Sequence, residues 1–181
     1  TGAALIRERE HGTIEHLLVM PVTPGEIMIS KIWSMGLVVL IATYASLNIV
    51  VRGMLQVPIE GSVPLFLCGV VLCLFAMTSM GIYMATVARS MPQFGLLFML
   101  TMIPMNLLSG GRTPRESMPQ LVQDLMQLAP TTHFVELGQA ILFRGAGLET
   151  VWKPFLALLV IGSVLFVLSL RRFRNTISQM A

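Results

Sequence analysis

The chain has 181 residues, of which 55% are hydrophobic and only 12% charged, and its mean hydropathy is +0.79. Soluble domains run at roughly 45–50% apolar and about 25% charged, so an ordinary soluble fold and intrinsic disorder are both excluded and a membrane protein is indicated. The 12 Lys and Arg against 9 Asp and Glu leave a net +3, too slight an excess to suggest nucleic-acid binding.

Thr1 opens the chain without an initiator Met, a basic n-region or a small-residue cleavage site, which reads as a fragment lacking a signal peptide. In the lead-in Ile6–Lys31, Ile14, Leu17 and Leu18 share one helical stripe with Glu15 and His16 off it, and Pro21 ends the segment. A short amphipathic helix is expected there. Thr23-Pro24-Gly25-Glu26 then has the form of a capping box with Pro at the first helical position, so a new helix starts and runs into the first apolar stretch.

Crossing about 30 Å of hydrocarbon takes roughly 20 helical residues. Four uncharged stretches qualify: Ile32–Val51, Leu65–Ala88, Met91–Gly111 and Pro154–Leu170. The fourth is flanked by Trp152 and Lys153 and by Arg171, Arg172 and Arg174, interfacial anchors that extend it by snorkelling. Each is read as a helix, because backbone amides in lipid must pair within their own segment. Gly36, Gly69, Gly81 and Gly95 are expected to let helices approach closely.

Between the third and fourth stretches, Ser117-Met118-Pro119-Gln120 again resembles a capping box. Leu121, Val122, Leu125, Met126, Leu128 and Ala129 then make an apolar face opposite Gln120, Gln123, Asp124 and Gln127. This helix should lie on the membrane surface or dip into it. Pro130 stops it, and Thr131 or Thr132 can cap a further helix through about Phe143 carrying His133, Glu136 and Gln139. That piece is too short and polar to span, so a re-entrant or interfacial position packed on protein is expected.

Basic residues number seven on the side of the N-terminus (Arg7, Arg9, Lys31, Arg89, Arg171, Arg172, Arg174) and five on the other (Arg52, Arg112, Arg115, Arg144, Lys153). The bias places both ends of the chain in the cytoplasm. Cys68 and Cys73 are five residues apart, about 140° around a helix, and read as small core hydrophobes rather than a disulfide or metal pair.

Searches for chemistry return little. The only lysines, Lys31 and Lys153, do not sit in an ATP-binding Gly-x-x-x-x-Gly-Lys-Ser/Thr loop. His11, His16 and His133 all fall outside the four stretches, which removes an intramembrane serine protease, and Glu15-His16 lacks the second histidine of a zinc protease. No catalytic site and no metal site is expected. The 14 methionines read as core fillers. Glu8, Glu10, His11, Glu15 and His16 form either a solvated face or a docking surface. His133, Glu136 and Arg144 are either interfacial anchors or the polar lining of a translocation path and its gate.

The run Arg7-Glu8-Arg9-Glu10-His11-Gly12-Thr13-Ile14-Glu15-His16-Leu17-Leu18, followed by Pro21-Val22-Thr23-Pro24, Glu26 and Lys31, resembles the cytoplasmic loop of ABC-2 type transporter permeases, the membrane subunits of bacterial ABC exporters. Leu108-Ser109-Gly110-Gly111, Pro114, Met118-Pro119, Pro130 and Thr131-Thr132-His133-Phe134 resemble that family's outward hairpin before its last span. The resemblance implies the last four of six spans. It also implies a coupling helix, matched by Glu10, Gly12, Thr13, Glu15, His16, Leu17 and Leu18, that sits on a separate ATPase subunit. His11 and His16 stand at variable polar positions and receive no special chemistry.

The expected fold is therefore an all-α membrane protein: a cytoplasmic loop with the coupling helix (1–31), three transmembrane helices (32–111), a periplasmic re-entrant or interfacial hairpin (112–151), and a last span with a basic tail (152–181). Its expected function is that of the permease subunit of an ATP-driven exporter in the bacterial inner membrane. Its partners would be ABC ATPase subunits that bind the ATP and Mg, a second permease subunit in a homodimer or heterodimer, and the lipid bilayer, with no nucleic acid and no cofactor on this chain. A secondary transporter would want midplane charges or broken helices, and no stretch contains Asp, Glu, Lys or Arg. A non-transporting scaffold gives no reason for the lead-in at Glu8–Lys31.

Overall fold

The computed structural model describes residues 24–88, 90–111, 114 and 117–178, and among them all regular structure is helical. The expected amphipathic helix of the lead-in lies outside the described residues. Helix α1 spans Pro24–Ala45 and widens into a π-helical segment, Ser46–Met54. It is followed by α2 at Val63–Val87, α3 at Met91–Leu107, α4 at Gln120–Met126, α5 at Pro130–Arg144 and α6 at Leu148–Ser178.

Among the described residues, three helical stretches are long and apolar enough to cross a membrane: Ile32–Met54, Val63–Val87 and Leu148–Arg172. The third expected stretch is shorter than its uncharged length. Absence of charge does not hold a helix together, and α3 ends at Leu107, with Leu108 N–H donating to the Pro104 carbonyl and Gly110 in a left-handed conformation (φ 90°). Its 17 residues rise about 26 Å. The fourth stretch departs in the other direction. Pro154 lies inside α6 rather than at its start, because Glu149 sits favourably in the first turn of a helix that begins before the apolar residues do.

α2 packs most extensively on α6, and α5 packs on both. α2 and α6 run parallel: Gly162 faces Phe75 and Ala76, Ser169 Oγ donates to the Ser79 carbonyl at 2.9 Å, and the Arg172 guanidinium stands 5.8 Å over the Tyr83 ring. A Cβ on Gly162 would come within 2.7 Å of the Phe75 ring, so close approach there depends on glycine. Gly69 likewise admits Leu137 of α5, and Gly61 admits the Ile141 carbonyl. Of the four glycines expected to mark close helix contacts, Gly69 does so, while a Cβ on Gly36, Gly81 or Gly95 would meet no described neighbour within 4 Å.

Several polar side chains of the apolar helices bond the preceding turn, although the buried Ser79 Oγ of α2 has no partner among the described residues. Thr43 Oγ1 donates to the Val39 carbonyl at 2.7 Å, Thr101 Oγ1 to Leu97 at 2.9 Å and Asn106 Nδ2 to Met102 at 2.9 Å. Asn48 Nδ2 donates to the Tyr44 carbonyl at 2.9 Å, where the helix widens to π.

The interdigitation at Gly162 generates a direct test. In the detergent-solubilised full-length protein, Gly162→Val should lower stability by about 1–3 kcal/mol, the range for forcing methyl groups into a packed interior. Gly81→Val should stay within about 0.5 kcal/mol, as at open positions. Equal losses in thermal unfolding would reject the packing described for α2 on α6.

Candidate functional site

The site is built on α5. Pro130 starts it, with Ala129 as cap residue and no side-chain cap, so neither Thr131 nor Thr132 plays the capping role expected of them. Proline supplies the fixed φ and lacks one of the amides that a helix start leaves unpaired. Thr131 Oγ1 instead donates to the Met105 carbonyl of α3 at 3.3 Å. The expected cap at Ser117 is also not formed: its hydroxyl donates to the Pro114 carbonyl at 2.7 Å, and α4 begins behind Pro119. At the far end, Gly145 takes the left-handed conformation (φ 61°), and its N–H and that of Ala146, the latter at 3.0 Å, both reach back to the Ala140 carbonyl, a glycine termination of the kind common at helix ends.

Two sides of α5 have different roles. Leu137 and Ile141 are fully buried, in a cluster with Phe66 and Val70 of α2 and Leu158 of α6, and the Phe66 and Phe134 rings lie 5.8 Å apart. The turn between α4 and α5 is inserted deeply. Met126, Ala129 and Pro130 line an apolar cavity with Met80 of α2 and Val160, Val164 and Leu165 of α6. Those α6 positions lie about 10–18 Å along the axis from Lys153, so the hairpin descends between the helices rather than resting across their ends. The outward side chains of this hairpin, Leu121, Leu125 and Leu128, are exposed.

The other side of α5 is polar. Thr132, Glu136 and Gln139 recur at spacings of four and three and, with Arg144, line a pocket of about 200 Å³ that Ser109 and Thr150 complete from the end of α3 and the start of α6. Of the three expected pathway residues, Glu136 and Arg144 therefore share one pocket, while His133 is not among its lining. Its Nε2 lies 2.7 Å from the Gln127 carbonyl and ties α5 to the turn before it. Glu136 is exposed, because the stripe it occupies faces the pocket and not the α2–α6 core, and it already has an interaction partner.

Ser109, Thr132, Gln139 and Thr150 are the lining residues that sequence reasoning did not select. The period of Thr132, Glu136 and Gln139 was a usable signal. Ser109 and Thr150 arrive from other elements and had none. The expected coupling residues Glu10, Gly12, Thr13, Glu15, His16, Leu17 and Leu18 lie outside the described residues.

A helical chain with three membrane-length helices, an inserted hairpin and a polar pocket at one end can be compared with known proteins. The sequence profile of the ABC-2 type transporter family matches residues 1–143. The chain belongs to the ABC-2 type transporter family. It is 66% identical over 181 residues to the inner membrane transport permease YhhJ of Escherichia coli (strain K12), covering 100% of this chain and 48% of that protein. It is 31% identical over 163 residues, 89% of this chain and 44% of the relative, to the probable multidrug ABC transporter permease YbhR of the same organism. ABC transporter G family member 20 of Dictyostelium discoideum is 26% identical over 161 residues, 88% of this chain and 22% of that protein. The chain thus spans about half the length of these curated permeases. It is a multi-pass membrane subunit of the ABC-2 permease family, with apolar helices for the bilayer and no strand among the described residues.

Proposed function

We propose that the chain is the permease portion of an ATP-driven exporter of the inner membrane, paired with a second permease subunit and powered by separate ABC ATPase subunits that bind the ATP and Mg. The observation that carries this reading beyond family membership is the α4–α5 hairpin, inserted among the helices with a polar stripe along α5. In this reading α3 is a fourth, short span, both ends of the chain are cytoplasmic, and the hairpin is re-entrant from the periplasmic side. His133, Glu136 and Arg144 belong to its outer gate: His133 holds the turn, and Glu136 and Arg144 supply the polar wall. Residues Gly12–Met20 form the coupling helix, with Glu15 and His16 toward the ATPase and Leu17 and Leu18 toward the bundle. The inner-membrane location follows the name of the 66% identical relative, and the substrate class stays unassigned.

The topology is checked by labelling. With Cys68 and Cys73 replaced, single cysteines at Ser62 and Gln123 should react with impermeant reagent from the periplasm, and those at Ser90 and Gln179 only from the cytoplasm. Periplasmic labelling at Ser90 would overturn the four-span reading.

Coupling is checked at Glu15. Glu15→Lys should lower the yield of ATPase co-purified with the full-length permease, or uncouple hydrolysis from transport, by about tenfold, the effect of reversing one charge at an interface. The permease itself should remain folded, since an exposed helix surface contributes little to stability. Unchanged complex yield together with unchanged transport would reject the assignment.

The gate is checked at Glu136. Glu136→Gln keeps shape and removes charge, so substrate-stimulated ATPase activity should change several-fold with no loss of protein from the membrane. Normal transport by this variant, with harm only from Glu136→Leu, would make Glu136 a hydrated surface residue and end its role as a gate.

A further inference from the structure

We infer that the loop between the π-helical segment and α2, residues 55–62, is a releasable latch on the end of α5, closed in the arrangement described and opened when the C-terminal end of α1 shifts. Its bearing on turnover rests on the proposed gate and ATPase coupling, whereas the latch itself does not. A helix leaves its last carbonyls without partners of its own, and the loop covers two of those on α5. Glu60 N–H donates to the Leu142 carbonyl at 3.3 Å. At Gly61 the two backbones touch: a Cβ there would overlap the Ile141 carbonyl, so only glycine lets the loop lie this close. From the other side Gly145, which ends α5 in the left-handed conformation, stands beside Glu60, and a Cβ on it would lie 3.5 Å from Glu60 Cβ. Ile59 and Val63 pack against the cluster that holds Leu137 and Ile141.

The attachment is narrow, which is what makes it releasable. Its backbone hydrogen bond is longer than the usual range of about 2.7–3.2 Å, Glu60 is exposed, and Gly61 has no side chain to bury. Segments held by exposed backbone bonds and little apolar burial open first. The two ends of the loop are set more firmly. On the α2 side, Ser62 Oγ accepts from Leu65 N–H at 3.4 Å and the Ser62 carbonyl accepts from Phe66 N–H at 3.1 Å. On the α1 side, Leu55 and Val57 N–H donate to the Val50 and Val51 carbonyls at 2.9 and 3.1 Å.

Between these ends the chain has little slack. Gln56 takes the left-handed conformation (φ 51°), uncommon for a residue with a Cβ, and Pro58 restricts Val57 to extended backbone. A shift of the π-helical segment is therefore passed on to Glu60 rather than absorbed on the way. Release would free the turn at 145–147 that leads from α5 into α6, and Arg144 and Thr150 on its two sides line the polar pocket. The latch thus joins the helix that continues the lead-in to one wall of that pocket, while Leu137 stays seated against Gly69.

The separation of Glu60 Cβ from a Cβ at position 145 lies within the roughly 3.5–4.5 Å that a disulfide spans. In full-length permease with Cys68 and Cys73 replaced, Glu60→Cys together with Gly145→Cys should therefore oxidise to a bond that holds the latch shut until reductant is added. Hydrogen exchange followed by mass spectrometry, on the permease alone, should show the amides of 59–61 and 142–146 exchanging about tenfold more slowly in the oxidised form than in the reduced one. Glu60→Pro removes the N–H that reaches Leu142, and Gly61→Ala forces the backbones apart. Each should speed exchange at 142–146 by about fivefold, the worth of one backbone hydrogen bond. Glu60→Gln keeps that amide and should leave exchange unchanged. With ATPase subunits reconstituted on the permease, the oxidised pair should hydrolyse ATP several-fold more slowly than the reduced pair. Failure of the folded pair to oxidise overturns the contact, and oxidation without slower exchange overturns its release. Should Gly145→Cys not fold, the other two variants decide, and wild-type exchange in both overturns the latch. Equal ATP hydrolysis in the two redox forms overturns release during turnover. If the wild-type complex shows no coupled hydrolysis, the coupling reading fails by itself, and the exchange measurements still decide the latch.

Discussion

In hydrocarbon a polar group that finds no partner inside the protein finds none at all, and each such group costs several kcal/mol. The architecture follows from that constraint. Thr43, Asn48, Thr101 and Asn106 are tolerated on apolar helices because each returns its side-chain donor to a carbonyl of the preceding turn. Ser169 shares its one hydroxyl hydrogen between the Leu165 carbonyl at 2.7 Å and the Ser79 carbonyl at 2.9 Å, a bifurcated bond that joins the turn of its own helix to α2. The end of α5 closes at Gly145, whose left-handed conformation lets its own N–H and that of Ala146 share the Ala140 carbonyl.

The same constraint explains why the inserted hairpin is built as it is. A helix carrying Thr132, Glu136, Gln139 and Arg144 cannot face lipid on all sides, and a helix carrying Leu137 and Ile141 is not stable alone in water. Burying the apolar side on α2 and α6 turns the polar side toward Ser109 and Thr150. The polar pocket is thus the complement of the apolar contact. Leu137 fits against Gly69 because a side chain there would collide with it, so the glycine on α2 fixes the rotation of α5 and with it the direction in which Glu136 points.

How much of this could be read from residues alone differs by element. The three membrane-length helices were legible because uncharged apolar runs of about 20 residues, or a shorter one extended by flanking Trp, Lys and Arg, favour a spanning helix. The end of α3 was not, because Asn106 and Gly110 stop a helix without adding charge. Which glycines pack was also hidden: helices that are apolar all round carry no period to say which face meets a neighbour, and Gly36, Gly81 and Gly95 look in sequence like Gly69 and Gly162. Hairpin capping misled for a local reason. Ser117 and Thr131 are good cap residues in isolation, yet prolines at 119 and 130 already start both helices, and the hydroxyls were free to bond Pro114 and Met105 instead. The polar stripe of α5 was visible as a spacing, whereas its two partners from α3 and α6 could be assigned only once the chain was folded.

Unequal burial within the bundle has a mechanical consequence. Only 6% of the α1 membrane window is buried inside the chain, against 39% for α2, and α1 touches chiefly α2. Elements that move are drawn from those held by the fewest buried contacts, and α1 is continuous in sequence with the lead-in that contains Glu15. Its C-terminal end is also where the helix widens to π around Asn48 and Arg52, a departure from α geometry that recurs at functional sites. By contrast α2, α5 and α6 share one buried cluster and move, if at all, as a unit. If the lead-in docks on an ATPase as proposed, a displacement entering there meets within this chain the least buried helix first and the tightly packed body carrying the pocket second, an order that favours relative motion of the two over distortion of either.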